Sequence, residues 1–251
     1  MGLFSSLLLI AFSAKASLHV VVDPGHGGSD NGAVHSGLKE SEVVLNVSRL
    51  LADQLKSDPR FKVTLTRTTD EFLTLEERTK IALRARGDIF LSIHANASQD
   101  QRARGVEFYF QNHLPPDQES LFLASTENRS EKQESTSENS LSHKHPEVSA
   151  ILEDLGRQKR MQMSQKLSEK LFSSWKNTQS GVIRQAPFFV VSQNQLPSVL
   201  IELGFITNPR EAEKLKQTSH QKEIADRLYS GLVEFYEHSK TDFRKEALTS
   251  P

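Results

Sequence analysis

Four side chains able to do acid–base or metal chemistry stand at the edges of short apolar runs. His26 lies in HVVVDPGHGGSDNGAV (19–34), just after a run rich in valine. His94 ends DIFLSIH (88–94), Glu202 lies near the end of SVLIEL (198–203), and Glu40, in GLKESEV, opens a helical period. In an open α/β sheet, ligands gather at the carboxyl ends of the strands. A fold that aligns these runs would therefore bring the four groups to one rim. Two neutral imidazoles and one carboxylate form a common catalytic zinc set with a position open for water. Zinc brings the pKa of such a water to about 7. A second carboxylate can then take the proton and pass it to a leaving nitrogen. Residue types alone do not say which glutamate plays which part.

Each residue also has a plainer reading. His26 could be an ordinary loop histidine, and His94 a satisfied core histidine at a strand end. Glu40 could complement the positive end of a helix, and Glu202 could accept from backbone N–H groups. Their convergence is what favours chemistry. The glycines around His26 (Gly25, Gly27 and Gly28) would let the loop fold tightly and let a bulky substrate approach. His143 and His145 read as part of a solvated loop rather than a second metal site. His35 has no clear partner, and His19, His113, His220 and His238 look incidental. Other motifs fail: the third glycine of a dinucleotide loop is replaced by Asp30, and neither G-x-S-x-G nor H-E-x-x-H occurs.

The elements that must position these groups follow from periodicity. Strands are expected at 18–23, 62–67, 88–94, 105–110, 187–191 (PFFVV) and 198–203, all short and apolar. Between them, Val43, Val44, Val47, Leu50, Leu51 and Leu55 form one helical stripe. Thr74 with Glu77 makes a capping box that opens a helix through Arg86. Val148 to Leu171 marks a long helix ending near Trp175, and Asn208-Pro209 starts another. Ile224, Leu228, Leu232 and Phe235 line a last one. Strands alternating with helices predict an α/β fold: a mainly parallel twisted sheet with helices on both faces, in one domain. Residues 111–146 break the rhythm as a long polar insert, functional or disordered.

The 251-residue chain has a net charge of −1 and no cysteine. That excludes disulfides, cysteine-ligated metals, a thiol nucleophile and a lipidated N-terminal cysteine, and no basic block argues for nucleic acid. Leu3 to Phe12 is apolar but too short to span a bilayer, and Ala14-Lys15-Ala16 fits a signal peptidase site. The expected organisation is a signal peptide at 1–16, a catalytic domain at 17–239 and a polar, frayed tail at 240–251. The mature chain would be exported, to the periplasm or elsewhere in the envelope, with no transmembrane segment, and would act as a monomer.

In this order, VVVDPGHGGSDNGA, GLKESEV, TLTR, LEERTKIA, FLSIHANAS, RGVEFYF and IELGFITNPREAEKL resemble the zinc-dependent N-acetylmuramoyl-L-alanine amidases of the Amidase_3 type over roughly residues 18–236. GHGG, SIHAN and ELGF are specific in combination. The resemblance implies cleavage of the amide between the lactyl group of muramic acid and L-alanine in peptidoglycan. It implies Zn2+ held by His26, Glu40 and His94, with Glu202 as catalytic acid/base. Some division-associated members carry a helix after GVEFYF that covers the site, supplies a glutamate to the zinc and is displaced by an activator with a LytM-type domain. SLFLASTENRSE would be that helix here and Glu127 its blocking ligand, the alternative being a disordered loop. Arg67 and Asn96 are weaker candidates for substrate binding, Arg67 being equally able to serve structure. The competing reading is a catalytically silent wall-binding or regulatory protein of the same fold.

Overall fold

The computed structural model describes residues 17–129, 146–175 and 181–249. The signal-peptide expectation, His143 and His145 lie outside them. In chain order the elements are β1 (Leu18–Pro24), β2 (Val34–His35), β3 (Leu38–Lys39), α1 (Glu40–Lys56), β4 (Phe61–Leu65), α2 (Leu75–Arg84), β5 (Ile89–Asn96), β6 (Val106–Phe110), α3 (Gln118–Glu127), α4 (Pro146–Ser173), β7 (Gly181–Gln185), α5 (Phe189–Ser192), β8 (Ser198–Phe205), α6 (Pro209–Leu215) and α7 (Thr218–Thr249).

The main sheet has the order β4-β1-β5-β8-β6-β7. All neighbours are parallel except β6 and β8, which run antiparallel. β1 has β4 on one side and β5 on the other, so the chain leaves its carboxyl end in a crevice between divergent connections. Such a switch point is where open α/β sheets hold ligands.

Period-two alternation divides the strands between two apolar layers. Leu18, Val20, Val22, Ile89, Leu91, Ile93, Phe108, Val199 and Ile201 face the larger core, which also holds the buried stripes of α1, α4 and α7. Val21, Phe90, Tyr109 and Leu200 face the other way, against Ala82 of α2, Ala124 of α3 and Val190 and Val191 of α5. Full burial of each large apolar side chain contributes roughly 1.5–3 kcal/mol. The sheet is therefore a stiff support for the side chains at its rim.

Local signals behave as expected at several ends. Thr74 and Glu77 form the reciprocal capping box of α2, and Asn208 caps α6 with Pro209 in its first turn. Three expectations are corrected. PFFVV is not a strand: its Phe189–Ser192 segment forms the short helix α5, because Val190 and Val191 face the core on one side of a single turn. The strand beside β6 is instead Gly181–Gln185, whose residues are half-exposed at the sheet edge and so carry little apolar signal. The C-terminal stretch, expected as a polar tail after Tyr236, is assigned to α7, which continues to Thr249.

Candidate metal centre

The strand ends bring His26, Glu40 and His94 together. His26 follows β1 in a tight loop, with its own φ at 55° and Gly27 and Gly28 also at positive φ. His94 lies two residues before the end of β5, and Glu40 is the first residue of α1. One ligand atom from each lies within 4.8 Å of the others, and all three residues are buried. Glu40 Oε1 is 3.1 Å from both His26 Nε2 and His94 Nδ1. The carboxylate is fixed by Ala95 N donating to Oε1 and Ala33 N donating to Oε2, both at 2.9 Å. His26 Nδ1 is 2.8 Å from Asp30 Oδ2, which orients the ring and turns Nε2 inward. That Nε2 is buried with no hydrogen-bond partner.

A fourth donor comes from the helix after β6. Glu127, the last residue of α3, brings Oε2 to 3.4 Å from His26 Nε2 and 3.6 Å from His94 Nδ1. Ligands about 2.05 Å from a tetrahedral zinc are separated by about 3.3 Å. The separations of 3.1, 3.4 and 3.6 Å bracket that value. Together with an orphaned buried nitrogen and the second-layer carboxylate Asp30, the donor set fits Zn2+.

The electrostatics agree with a site made for a cation. Burial works against the charge on Glu40, but the His26 and His94 rings overcome it and hold its carboxyl well below the usual range. Burial lowers the proton affinity of His26, yet the charge of Glu40 and the hydrogen bond to Asp30 raise it well above that of a free imidazole. Glu127 is pushed up by burial. Glu202 is pushed up further, by complete burial and then by the charges of Glu40, Glu127 and Glu107. Glu202 sits on β8 opposite His94 on β5, and its Oε2 is buried without a hydrogen-bond partner. A cleft of about 720 Å³ is lined by His26, Glu40, Asn96, Glu107, Glu127 and Glu202 among others.

Residues behind the site explain how a loop so rich in glycine stays in place. Arg78 donates to Pro24 O and His26 O and pairs with the fully buried Asp23 at 2.8 Å. Arg67 donates to the carbonyls of Pro24, Gly25, Ser41 and Thr69. Arg67 is therefore a structural clamp, which corrects the expectation of substrate contact: it is 1% exposed, and its donors are committed to backbone. Burial, and then the neighbouring Arg78, lower its proton affinity to about 10. Asn96 does line the cleft, with its amide donating to Glu107 Oε2 at 3.0 Å. Sequence reasoning missed Asp30, Asp23, Arg78, Glu107 and Arg184. Only Asp30 left a trace, four residues after His26 in the same loop.

Fold and site together define an α/β protein with a buried His–Glu–His donor set at the switch point of its sheet. Residues 20–234 match the Amidase_3 family model, N-acetylmuramoyl-L-alanine amidase, and the chain belongs to that family. It is 34% identical over 218 residues to the uncharacterised protein YqiI of Bacillus subtilis, covering 87% of this chain and 84% of that one. It is 29% identical to the probable N-acetylmuramoyl-L-alanine amidase AmiB of Haemophilus influenzae, over 98% of this chain but only 58% of that protein. Among solved structures, the catalytic domain of the amidase CwlV from Bacillus (Paenibacillus) polymyxa var. colistinus is similar, with a TM-score of 0.65, 25% identity, and coverage of 88% of this chain and 98% of that one.

Proposed function

We propose that this chain hydrolyses the amide between N-acetylmuramic acid and the L-alanine of the stem peptide, using Zn2+ held by His26, Glu40 and His94. The convergence of their donor atoms within 4.8 Å, in a chain of the amidase family, carries this reading. When bound there, zinc supplies a Lewis acid for the carbonyl oxygen and a water acidic enough to attack near neutral pH. Glu40 holds its charge between the two rings, and Asp30 keeps His26 Nε2 facing the centre. Glu202, at Oε2, accepts the proton of the attacking water and delivers it to the L-alanine nitrogen as the amide breaks. Its burial favours this cycle, since it raises the proton affinity of the carboxyl and so eases acceptance of the water's proton.

In the same reading α3 is an autoinhibitory cover, with Glu127 at the position that water and substrate need. A half-buried Glu127 with Oε2 at 3.4 Å from His26 Nε2 supports it. Opening requires an activator that binds the displaced helix better than the docked one, and a LytM-type protein is the proposed partner. Export to the envelope, where peptidoglycan lies, goes with this substrate. Among the described residues no helix is long and apolar enough to cross a membrane.

The test is digestion of purified cell wall, with products read by mass spectrometry. Stem peptides with a free L-alanine amino terminus should appear, vanish with chelator and return with zinc. His94→Ala should lose zinc, and Glu202→Ala should keep zinc but lose turnover. Full activity in the Glu202 variant would remove the acid/base assignment, and products cut elsewhere would remove the substrate.

A further inference from the structure

The covering helix is held at both ends, and the group at its first turn is a cation. Arg184, on the edge strand β7, places Nη1 3.1 Å from Asp117 Oδ2 and 3.2 Å from Glu119 Oε2. Asp117 is the N-cap of α3 and Glu119 lies in its first turn. From the opposite side, Arg184 Nε lies 3.2 Å from Glu107 Oε1. Glu107 faces Glu202 across the β6–β8 pair and lines the cleft. Its other oxygen accepts from Asn96 Nδ2 at 3.0 Å and Tyr109 Oη at 2.8 Å. Glu107 is thus a buried, well-satisfied anchor whose charge pairs with one edge of the guanidinium, without a hydrogen bond at Nε, and leaves the other edge turned to α3.

α3 therefore presents carboxylates at two points: Glu127 to the metal donors and Asp117 with Glu119 to Arg184. Its ten residues span about 15 Å at 1.5 Å per residue. The Arg184 contacts to α3 are half to mostly solvent-exposed on the acidic side, and such pairs hold weakly. A helix meant to be displaced would be retained in this way. Once it leaves, Nη1 faces the vacated groove with no partner from α3. A stem peptide running out from the scissile amide covers about 3.5 Å per residue. The strand of Arg184 lies two places from that of Glu202 in the sheet, roughly 10 Å at about 4.8 Å per strand, so a carboxylate at the third residue would come within reach of that position.

We propose that Arg184 is a carboxylate-binding subsite for the stem peptide, occupied in the covered state by Asp117 and Glu119 of α3. This rests on the amidase reading and on α3 as a cover. Arg184 is a specificity residue remote from the reacting amide. The fork of a guanidinium pairs with both oxygens of a carboxylate, whereas a carboxamide of equal shape offers one acceptor oxygen and no charge.

The experiment uses the full chain, zinc-loaded, carrying Glu127→Ala so that the metal end of α3 is released. Two soluble substrates are compared, an N-acetylmuramoyl tripeptide with free carboxylates and the same molecule with its peptide carboxylates amidated. Adding Arg184→Gln should raise KM for the free acid by about 10- to 100-fold, the range of a lost charge-assisted hydrogen bond, with kcat changed by less than about threefold. KM for the amidated substrate should move by less than about threefold. Equal changes on both substrates, or none on either, overturn the subsite while leaving the amidase reading intact. No turnover of either substrate by the parent chain counts against the proposed function and the subsite together. If loss of the cation beside Glu107 prevents folding, Arg184→Lys keeps the charge without the fork and should raise KM several-fold for the free acid alone. A folded Lys variant with the parent KM for the free acid overturns the proposal as well.

Discussion

Gly25→Ala is the most informative single perturbation of the metal centre. A Cβ at Gly25 would lie 2.5 Å from His94 Nε2 and 2.8 Å from His94 Nδ1. Ordinary contact begins at 3.4 Å and Cε1 is the nearest ring atom, so the ring must retreat by about 1 Å. It has no slack, because Nδ1 lies 3.1 Å from Glu40 Oε1 and Glu40 is pinned by two backbone N–H groups. Zinc sites tolerate about 0.2 Å in ligand distance, and a misplacement of about 1 Å costs roughly 10²-fold. That is about 2.7 kcal/mol at 1.36 kcal/mol per decade. Gly25 is not among the glycines at positive φ, so the substitution acts through the ring rather than the backbone. Zinc affinity measured by chelator competition, and wall hydrolysis at saturating zinc, should each fall about 100-fold. Gly37→Ala is the control: it has positive φ but nothing within 4 Å. It should cost about 1–2 kcal/mol of stability and leave zinc affinity unchanged. A Gly25→Ala protein within about threefold of the parent in both assays would refute the reasoning.

Other outcomes follow from the same geometry. Asp30→Asn should weaken zinc about 10- to 100-fold, the usual effect of losing a carboxylate behind a ligating histidine, with apo-protein melting little changed. Glu127→Ala should raise basal wall hydrolysis and leave zinc bound; unchanged basal activity would mean that α3 does not block. Glu202→Gln should abolish turnover yet stabilise the metal-free protein. The folded Glu202 carboxyl titrates well above its unfolded value of 4.5, so its share of stability is present below pH 4.5 and is lost as pH rises through the folded pKa. Melting curves of the two metal-free proteins should coincide at acid pH and separate as pH rises, with the Gln variant the more stable. Arg78→Met should cost several kcal/mol, because it leaves the fully buried Asp23 carboxylate without its cation, and denaturant unfolding would measure it.

The amino-acid sequence by itself determined the strand runs, the helix caps and the donor types. The continuous valine run Val20–Val22 marked β1, the Thr74–Glu77 pair marked the start of α2, and His26, His94, Glu40 and Glu202 stood out because each abuts a run that reads as a strand or helix end. These signals are local: they depend on side chains a few residues apart. The tertiary structure alone decided what depends on pairing and burial. Gly181–Gln185 is a strand because β6 offers it hydrogen bonds, and nothing in its half-exposed sequence announces that. PFFVV has the composition of a strand, but packing of Val190 and Val191 on the second layer winds it into a turn of helix. Arg67 read as a candidate for substrate contact until four carbonyls, two of them from the end of β1 and the residue after it, enclosed its guanidinium. The antiparallel register that sets Glu107 against Glu202, and the reach of Arg184 to both Glu107 and the first turn of α3, join residues more than sixty positions apart. No pattern along the chain encodes such a meeting, because only their mutual pairing offsets the cost of taking those groups out of water.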